Sequence, residues 1–414
     1  GSRGPARYPA LRPELKPTQS IAHFVRKHAG IQAGARLRGE GFDAVLTGRL
    51  VGRPREASKK LYFLHLRSGA HAVQVIGEAQ SFADQDGGVA AAFGALREGD
   101  VVAVRGFPGK TRRGELSLVA QELTVLAPCV ANIPSGRGDG KFALRDKATR
   151  YRNRHVDLLA NGPEAAQPFI VRAQAIAFLR RFLQDRDFLE VETPIIAASA
   201  GGALAEPFKT RARVTGESDL FLRIAPELYL KKLVVGGLER VFEIGKVFRN
   251  EGVSPNHNPE FTTCEFYQAF ADHKDLMALT EDLLSSMATQ ILGTTVLPSG
   301  IDLKPPYRRV SVLDRLEEVY GLAPGTFPDV NDREAVEAVH DQLAALLRRR
   351  HSIDAGTLRP KGEPPTVASN CKLVDTMIGR DIEPDCVAPT FICDHPLAMS
   401  PLAKEDPDRP GRSQ

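Results

Sequence analysis

An α+β chain is expected: a small five-stranded β-barrel of the OB type, then a larger domain in which helices flank an antiparallel β-hairpin. Three observations lead there. Strand-like runs arrive at close spacing between residues 44 and 126, separated by turn-formers. A Pro/Gly-rich stretch without periodicity, APCVANIPSGRGDGK at 127–141, follows them. Beyond it, amphipathic helical patterns alternate with β-branched and aromatic runs. The expected domains are therefore 17–130 for the barrel, 131–143 for the linker and 144–414 for the rest.

A chain of 414 residues has room for more than one core. No apolar run approaches the length of a membrane span. The start, GSRGPARYPALRPELKP, lacks the apolar stretch of a signal peptide, so a cytoplasmic location with no membrane partner is expected. The five cysteines form no CxxC pair, which fits free thiols in a reducing compartment better than zinc on Cys386, Cys393 and His395. Net charge is only +4, yet residues 1–60 hold 13 Lys/Arg against 4 Asp/Glu. A polyanion partner fits that asymmetry, and so does a solvated basic arm.

In the first domain a short helix is expected over 19–34, with Ile21, Phe24, Val25 and Ala29 on one face. Strands are expected at 44–51, 61–66, 72–76, 101–106 and 115–119, with 123–126 after them and a partly helical insertion at 79–96. Such barrels serve many functions. Phe63 and Gln74 fall on neighbouring strands and Glu115 opens a third. A ring, an amide and a carboxylate on one sheet suit single-stranded RNA. Strand alternation fits Phe63 equally well as a core residue.

In the second domain a helix over 168–187 carries Ile176, Leu179 and Leu183 on one stripe and runs into FLEVETP, which ends at Pro194. Gly201-Gly202 reads as a turn, and FLRIAPELYLKK places Glu227 after a strand and just past Pro226. Residues 241–267 read as two strands around a polar loop bearing Arg249, Glu251, His257, Asn258, Glu260 and Phe261. A guanidinium fork suits a phosphate and an aromatic face suits a base. An Arg249–Glu251 surface pair fits the same two residues. Amphipathic helices are expected at 275–292 and 333–350, the latter ending in a solvated Arg348-Arg349-Arg350 favoured by the helix dipole.

The string FRNEG–x4–HNPEF–x3–EFY strongly resembles motif 2 of class II aminoacyl-tRNA synthetases, and within them the eukaryotic-type lysyl enzymes of subclass IIb. FLHLRSGAHAVQVI with GKTRRGELSL resembles the anticodon-binding barrel of the lysyl, aspartyl and asparaginyl group. LRDKATRYRNRHVDLL resembles the first segment of the catalytic domain, departing at Ala148 and His155, where Glu and Tyr are commoner. FLEVETP resembles motif 1, and PTFICDHPLAMSPLAK the segment before the last catalytic strands. The resemblance covers about residues 17–404.

That resemblance implies an antiparallel β-sheet catalytic domain and an ATP-dependent lysine–tRNA ligase acting on L-lysine and tRNA(Lys). It implies catalytic roles for Arg249 and Glu251, and ATP binding by Arg249, Glu251, His257, Asn258 and Phe261. Lysine would meet Gly202, Glu227, Glu265 and Tyr267. Anticodon contacts would fall on Phe63, Gln74 and Glu115, and Pro194 on a homodimer interface. ATP and Mg2+ are the implied cofactors. Motif 3 and the acidic magnesium ligands have no counterpart here, since Gly300-Ile301-Asp302 lacks a following arginine. No metal ligand is thus expected within these residues, further sequence is expected beyond them, and activity of the chain by itself is left open. Two other readings stand beside this one: an inactive synthetase-derived dimer that binds tRNA or protein, and an aspartyl or asparaginyl relative. The relatives typically show glutamine at the Glu227 position.

Overall fold

The computed structural model describes residues 13–82, 87–131, 133–134, 144–199, 201–203, 205–213, 216, 218–354, 364–400 and 402–413. Most of the expected linker, 131–143, and part of the 79–96 insertion lie outside these. Two units, residues 1–172 and 173–414, are described in turn.

In the first unit Ser20 caps helix α1 (Ile21–His28) by accepting the His23 N–H, and Ile21 and Phe24 are buried. The helix stops well short of residue 34 because the chain turns at Ala29-Gly30, where Ile31 N–H bonds His28 O. Strands β1 (Ala44–Ser58), β2 (Leu61–Ser68), β3 (His71–Glu78), β4 (Val101–Lys110) and β5 (Leu116–Ala127) close in the order β1-β2-β3-β5-β4, with β4 paired back onto β1. Closure leaves no free sheet edge. Alternate residues face inward: Leu46, Leu64, Leu66, Val75, Val102, Val104 and Leu118 are fully buried. Phe93 of α2 (Gly88–Gly94) and Phe82 join that core. β5 absorbs both runs expected near residues 115–126, because its pairing with β4 continues across a bulge at Arg105/Gly106. After α3 (Lys147–Arg152) comes α4 (Arg154–Gln184), broken at Gly162 (φ 57°, ψ −126°). Its second half therefore starts at Pro163, earlier than expected, where a missing N–H costs no hydrogen bond.

The second unit begins in the later part of α4 and continues through β6 (Leu189–Glu190), β7 (Ile196–Ala197), β8 (Lys209–Thr210), β9 (Leu220–Leu222) and α5 (Glu227–Val235). Its centre is the antiparallel hairpin β10 (Arg240–Phe248) and β11 (Glu260–Gln268), with β6 parallel to β10 on the other side. Phe242, Ile244, Cys264 and Phe266 lie on one hairpin face and pack on Phe178, Phe182 and Leu183 of α4 and Leu283 of α6 (His273–Leu292). Burial there pushes the Cys264 thiol up to about 11. The opposite face carries the candidate site.

A second cluster joins β12 (Arg308–Ser311), α7 (Val312–Tyr320), α8 (Val336–His351), α9 (Val367–Asp381) and β13 (Thr390–Cys393). The Arg348–Arg350 run is exposed in the last turn of α8, as expected, and two of its members also make contacts beyond the helix. Arg350 and His351 converge with the Tyr320 hydroxyl on Asp381, which is 2 % exposed, and Arg349 donates to Tyr320 O. The α+β expectation holds, with a closed barrel in one unit and small sheets among helices in the other. Among the described residues no helix is long and apolar enough to cross a membrane.

Candidate nucleotide and amino-acid site

Period-2 alternation along β11 puts Phe261, Thr263, Glu265 and Tyr267 on one face, opposite the core. The register sets Glu243 across from Glu265 and Gly245 across from Thr263. Gly245 is required there, since a Cβ would overlap the Arg223 guanidinium. Arg223 and Glu243 form a buried ion pair, each about 95 % shielded, and Thr193 joins both: its hydroxyl donates to Glu243 Oε2 at 2.6 Å. Arg223 Nε also reaches Lys246 O at 2.9 Å. One guanidinium thus ties the segment ending at Pro194 to the hairpin. Pro194 itself is exposed, as are Ile195 and Ile196 after it.

Arg249 leaves the end of β10. Its N–H bonds Pro259 O at 2.9 Å and closes the loop, and Asn250 N–H bonds Glu206 O at 2.7 Å. The guanidinium is half-buried and lies 5.2 Å from the Phe261 ring centroid, a cation–π contact. Those two predicted residues meet. Glu251, His257 and Asn258 stand exposed on the loop; His257 Nδ1 lies 2.8 Å from Ser254 Oγ, which shapes the turn.

Glu227 is the first residue of α5, where a carboxylate favours the helix dipole. It shares with Gly202 a cavity of about 580 Å³, also lined by Ala203, Lys231, Met399 and Leu402. Gly202 has φ of +94°, and a Cβ there would press at 3.2 Å on Glu227 Cβ. Lys231, one helical turn on, donates to Glu227 Oε1 at 2.7 Å and to Leu402 O at 3.2 Å. The Tyr267 hydroxyl donates to Glu265 Oε2 at 3.2 Å. Burial, and then the charge of Glu227, push the Glu265 carboxyl above the usual range; the Tyr267 hydrogen bond opposes this. Burial also pushes Tyr267 up, so it stays a neutral donor.

On the barrel, Gln74 is buried with both ends of its amide bonded: it donates to Glu115 Oε2 at 2.8 Å and accepts from the Ser117 hydroxyl at 2.8 Å. His65, paired with Gln74 across the strands, lies 3.3 Å from Glu115 Oε1. Phe63 is half-buried on the outer face, with Arg55 4.9 Å from its ring centroid. All three predicted residues thus share one patch of sheet. Sequence reasoning passed over His65, Ser117 and Arg55 there, and Lys231 and Arg223 in the second unit. The i,i+4 spacing of Glu227 and Lys231 was a usable signal; the others had none.

A family model described as tRNA synthetases class II (D, K and N) matches residues 146–413, well over half of the chain. The chain belongs to this family. A second model, an OB-fold nucleic acid binding domain, matches residues 44–126. A lysine–tRNA ligase of Cladosporium cladosporioides is 42% identical over 387 residues, covering 88% of this chain and 60% of that protein. A probable cytoplasmic lysine–tRNA ligase of Encephalitozoon cuniculi is 44% identical, covering 77% and 61%, and a lysine–tRNA ligase of Nostoc punctiforme 38% identical, covering 95% and 66%. This synthetase chain spans between three fifths and two thirds of the length of these relatives. Among its described residues no three His, Cys, Asp or Glu side chains come together as a cluster that could hold a metal ion.

Proposed function

We propose that the protein to which this chain belongs is a lysine–tRNA ligase, acting in the cytoplasm as a homodimer. The observation that carries the choice of lysine is a pair of half-buried carboxylates near enough to feel one another's charge, Glu227 on the cavity wall and Glu265 on β11. They suit an ammonium group and would repel an aspartate side chain. The lysine–tRNA ligase names of the relatives support it. In this reading residues 17–130 bind the anticodon through Phe63, Gln74 and Glu115, and residues 144–414 contribute the catalytic domain.

The lysine carboxylate attacks the α-phosphorus of ATP, pyrophosphate leaves, and lysyl-adenylate forms. A terminal ribose hydroxyl of tRNA(Lys) then attacks the acyl carbon and AMP leaves. No side-chain nucleophile is needed; positioning and charge neutralisation supply the rate. Arg249 is read as the group that offsets charge at the α-phosphate, and Phe261 as the platform for adenine. Glu251, His257 and Asn258, on the same loop, are read as contacts to base and phosphates. Glu227, Glu265 and Tyr267 hold the substrate's amino groups, with Gly202 leaving room beside them. Magnesium, bound with the nucleotide, would screen its phosphates. The exposed Ile195 and Ile196 after Pro194 fit a dimer contact.

Calorimetric titration with lysine, aspartate and asparagine, each beside ATP, tests the assignment. Lysine is expected to bind on the order of a hundredfold more tightly or better, because the wrong charge would be buried unpaired. Preferential binding of aspartate or asparagine overturns it.

A further inference from the structure

The Glu115 carboxylate is held by both of its oxygens. Oε2 accepts from the buried Gln74 amide at 2.8 Å, and Oε1 lies 3.3 Å from His65 Nε2. The backbone beneath it is fixed as well: its N–H bonds Thr111 Oγ1 at 3.0 Å, and its C=O accepts from Thr111 N–H at 2.9 Å. Gln74 is a firm anchor, because the fully buried Ser117 hydroxyl holds the other end of its amide. His65 stands on the outer face of β2, two residues after Phe63 and directly across from Gln74. The three residues read above as anticodon contacts thus surround a fourth, His65.

We propose that His65 is a positioning residue for RNA recognition: with Gln74 it clamps the Glu115 carboxylate in one orientation, ready to accept from a base edge. The inference rests on the anticodon reading above. A carboxylate only accepts, so His65 Nε2 carries the proton and donates. Both side chains of the pair are half exposed, 52 % and 50 %, and an exposed pair of this kind adds little to stability. What it changes is freedom. Glutamate is among the side chains that lose most rotamer entropy when fixed, and a carboxylate already held in place binds without that loss.

The experiment measures tRNA affinity by fluorescence anisotropy for the wild type, His65→Ala, His65→Gln, Glu115→Ala and the double variant His65→Ala with Glu115→Ala. Each is titrated against labelled tRNA(Lys) and three versions of it with one anticodon base replaced. His65→Ala is expected to weaken tRNA(Lys) binding about fivefold, the size of one ordinary hydrogen bond, and to shrink discrimination against a replaced base to the same degree. Its melting temperature stays at the wild-type value, as an exposed pair requires. His65→Gln, which keeps a donor, restores most of the affinity. In the Glu115→Ala background the loss of His65 has no further effect. Additive losses would mean that His65 meets RNA by itself, and full affinity in His65→Ala would mean that the carboxylate needs no clamp. Either result overturns the proposal, and so does a glutamine variant as weak as the alanine one. Wild-type binding that ignores the anticodon bases, or that survives Glu115→Ala, is a separate outcome: it removes the anticodon reading of this patch.

Discussion

Glu265 is where the proposed lysine binding and the fold's stability pull in opposite directions. Its carboxyl is raised above the ordinary range by burial and by Glu227, against the help of Tyr267. The unfolded chain has the ordinary value of about 4.3. Between that value and the raised one, the folded form holds the proton more tightly. Stability from this group is thus complete below the window and lost as pH rises through it. Glu265→Gln keeps an oxygen for the Tyr267 hydroxyl and removes the charge. The variant is expected to melt higher than wild type at pH 8, with the difference fading toward pH 4, and to bind lysine at least tenfold more weakly. Scanning calorimetry at pH 4, 6 and 8 checks the first part and titration the second. A lower melting temperature at pH 8 would show that the carboxylate is satisfied in the ligand-free fold.

Among elements, the Arg223–Glu243–Thr193 network holds together three segments that the proposed chemistry uses. Arg223 precedes α5 by a few residues, Glu243 lies within β10 and Thr193 immediately precedes Pro194. An ion pair this buried contributes less net stability than its loss would suggest, because desolvation offsets much of the attraction. Breaking one side is different. Arg223→Met should cost about 3–5 kcal/mol by stranding the Glu243 carboxylate, while Arg223→Met with Glu243→Leu should recover a good part of it. Urea unfolding of the two singles and the double forms the cycle. Additive losses would mean that the pair is not coupled. The same network explains Gly245: the sheet leaves out one side chain so that a guanidinium can pass beneath the hairpin.

Across the whole molecule, the proposed division of labour separates RNA reading from amino-acid activation by unit. Phe63→Ala removes a half-buried ring from the outer face of the barrel, while the inward Leu64 and Leu66 keep the core. Losing one base stack is worth roughly 1–3 kcal/mol, so tRNA binding should weaken about tenfold to a hundredfold. Lysine binding and the melting profile should remain at wild-type values. Fluorescence anisotropy with labelled tRNA, run beside lysine titration, makes the comparison. Loss of both together would mean that the barrel has unfolded or that the two units do not act separately.

Residue order alone determined the barrel strands, the hairpin and the family, because alternation and turn chemistry are local properties. It also specified which hairpin face could bear Phe261, Glu265 and Tyr267, since the strand period is two. Partners across the fold were another matter. Lys231 meets Leu402 across 171 residues, His65 meets Glu115 across 50, and the exposed Arg350 reaches the buried Asp381 carboxylate across 31. Nothing in the spacing of those residues encodes the pairing. A strand or helix pattern specifies the direction in which a side chain points, and only the packed topology decides which charge lies in its path.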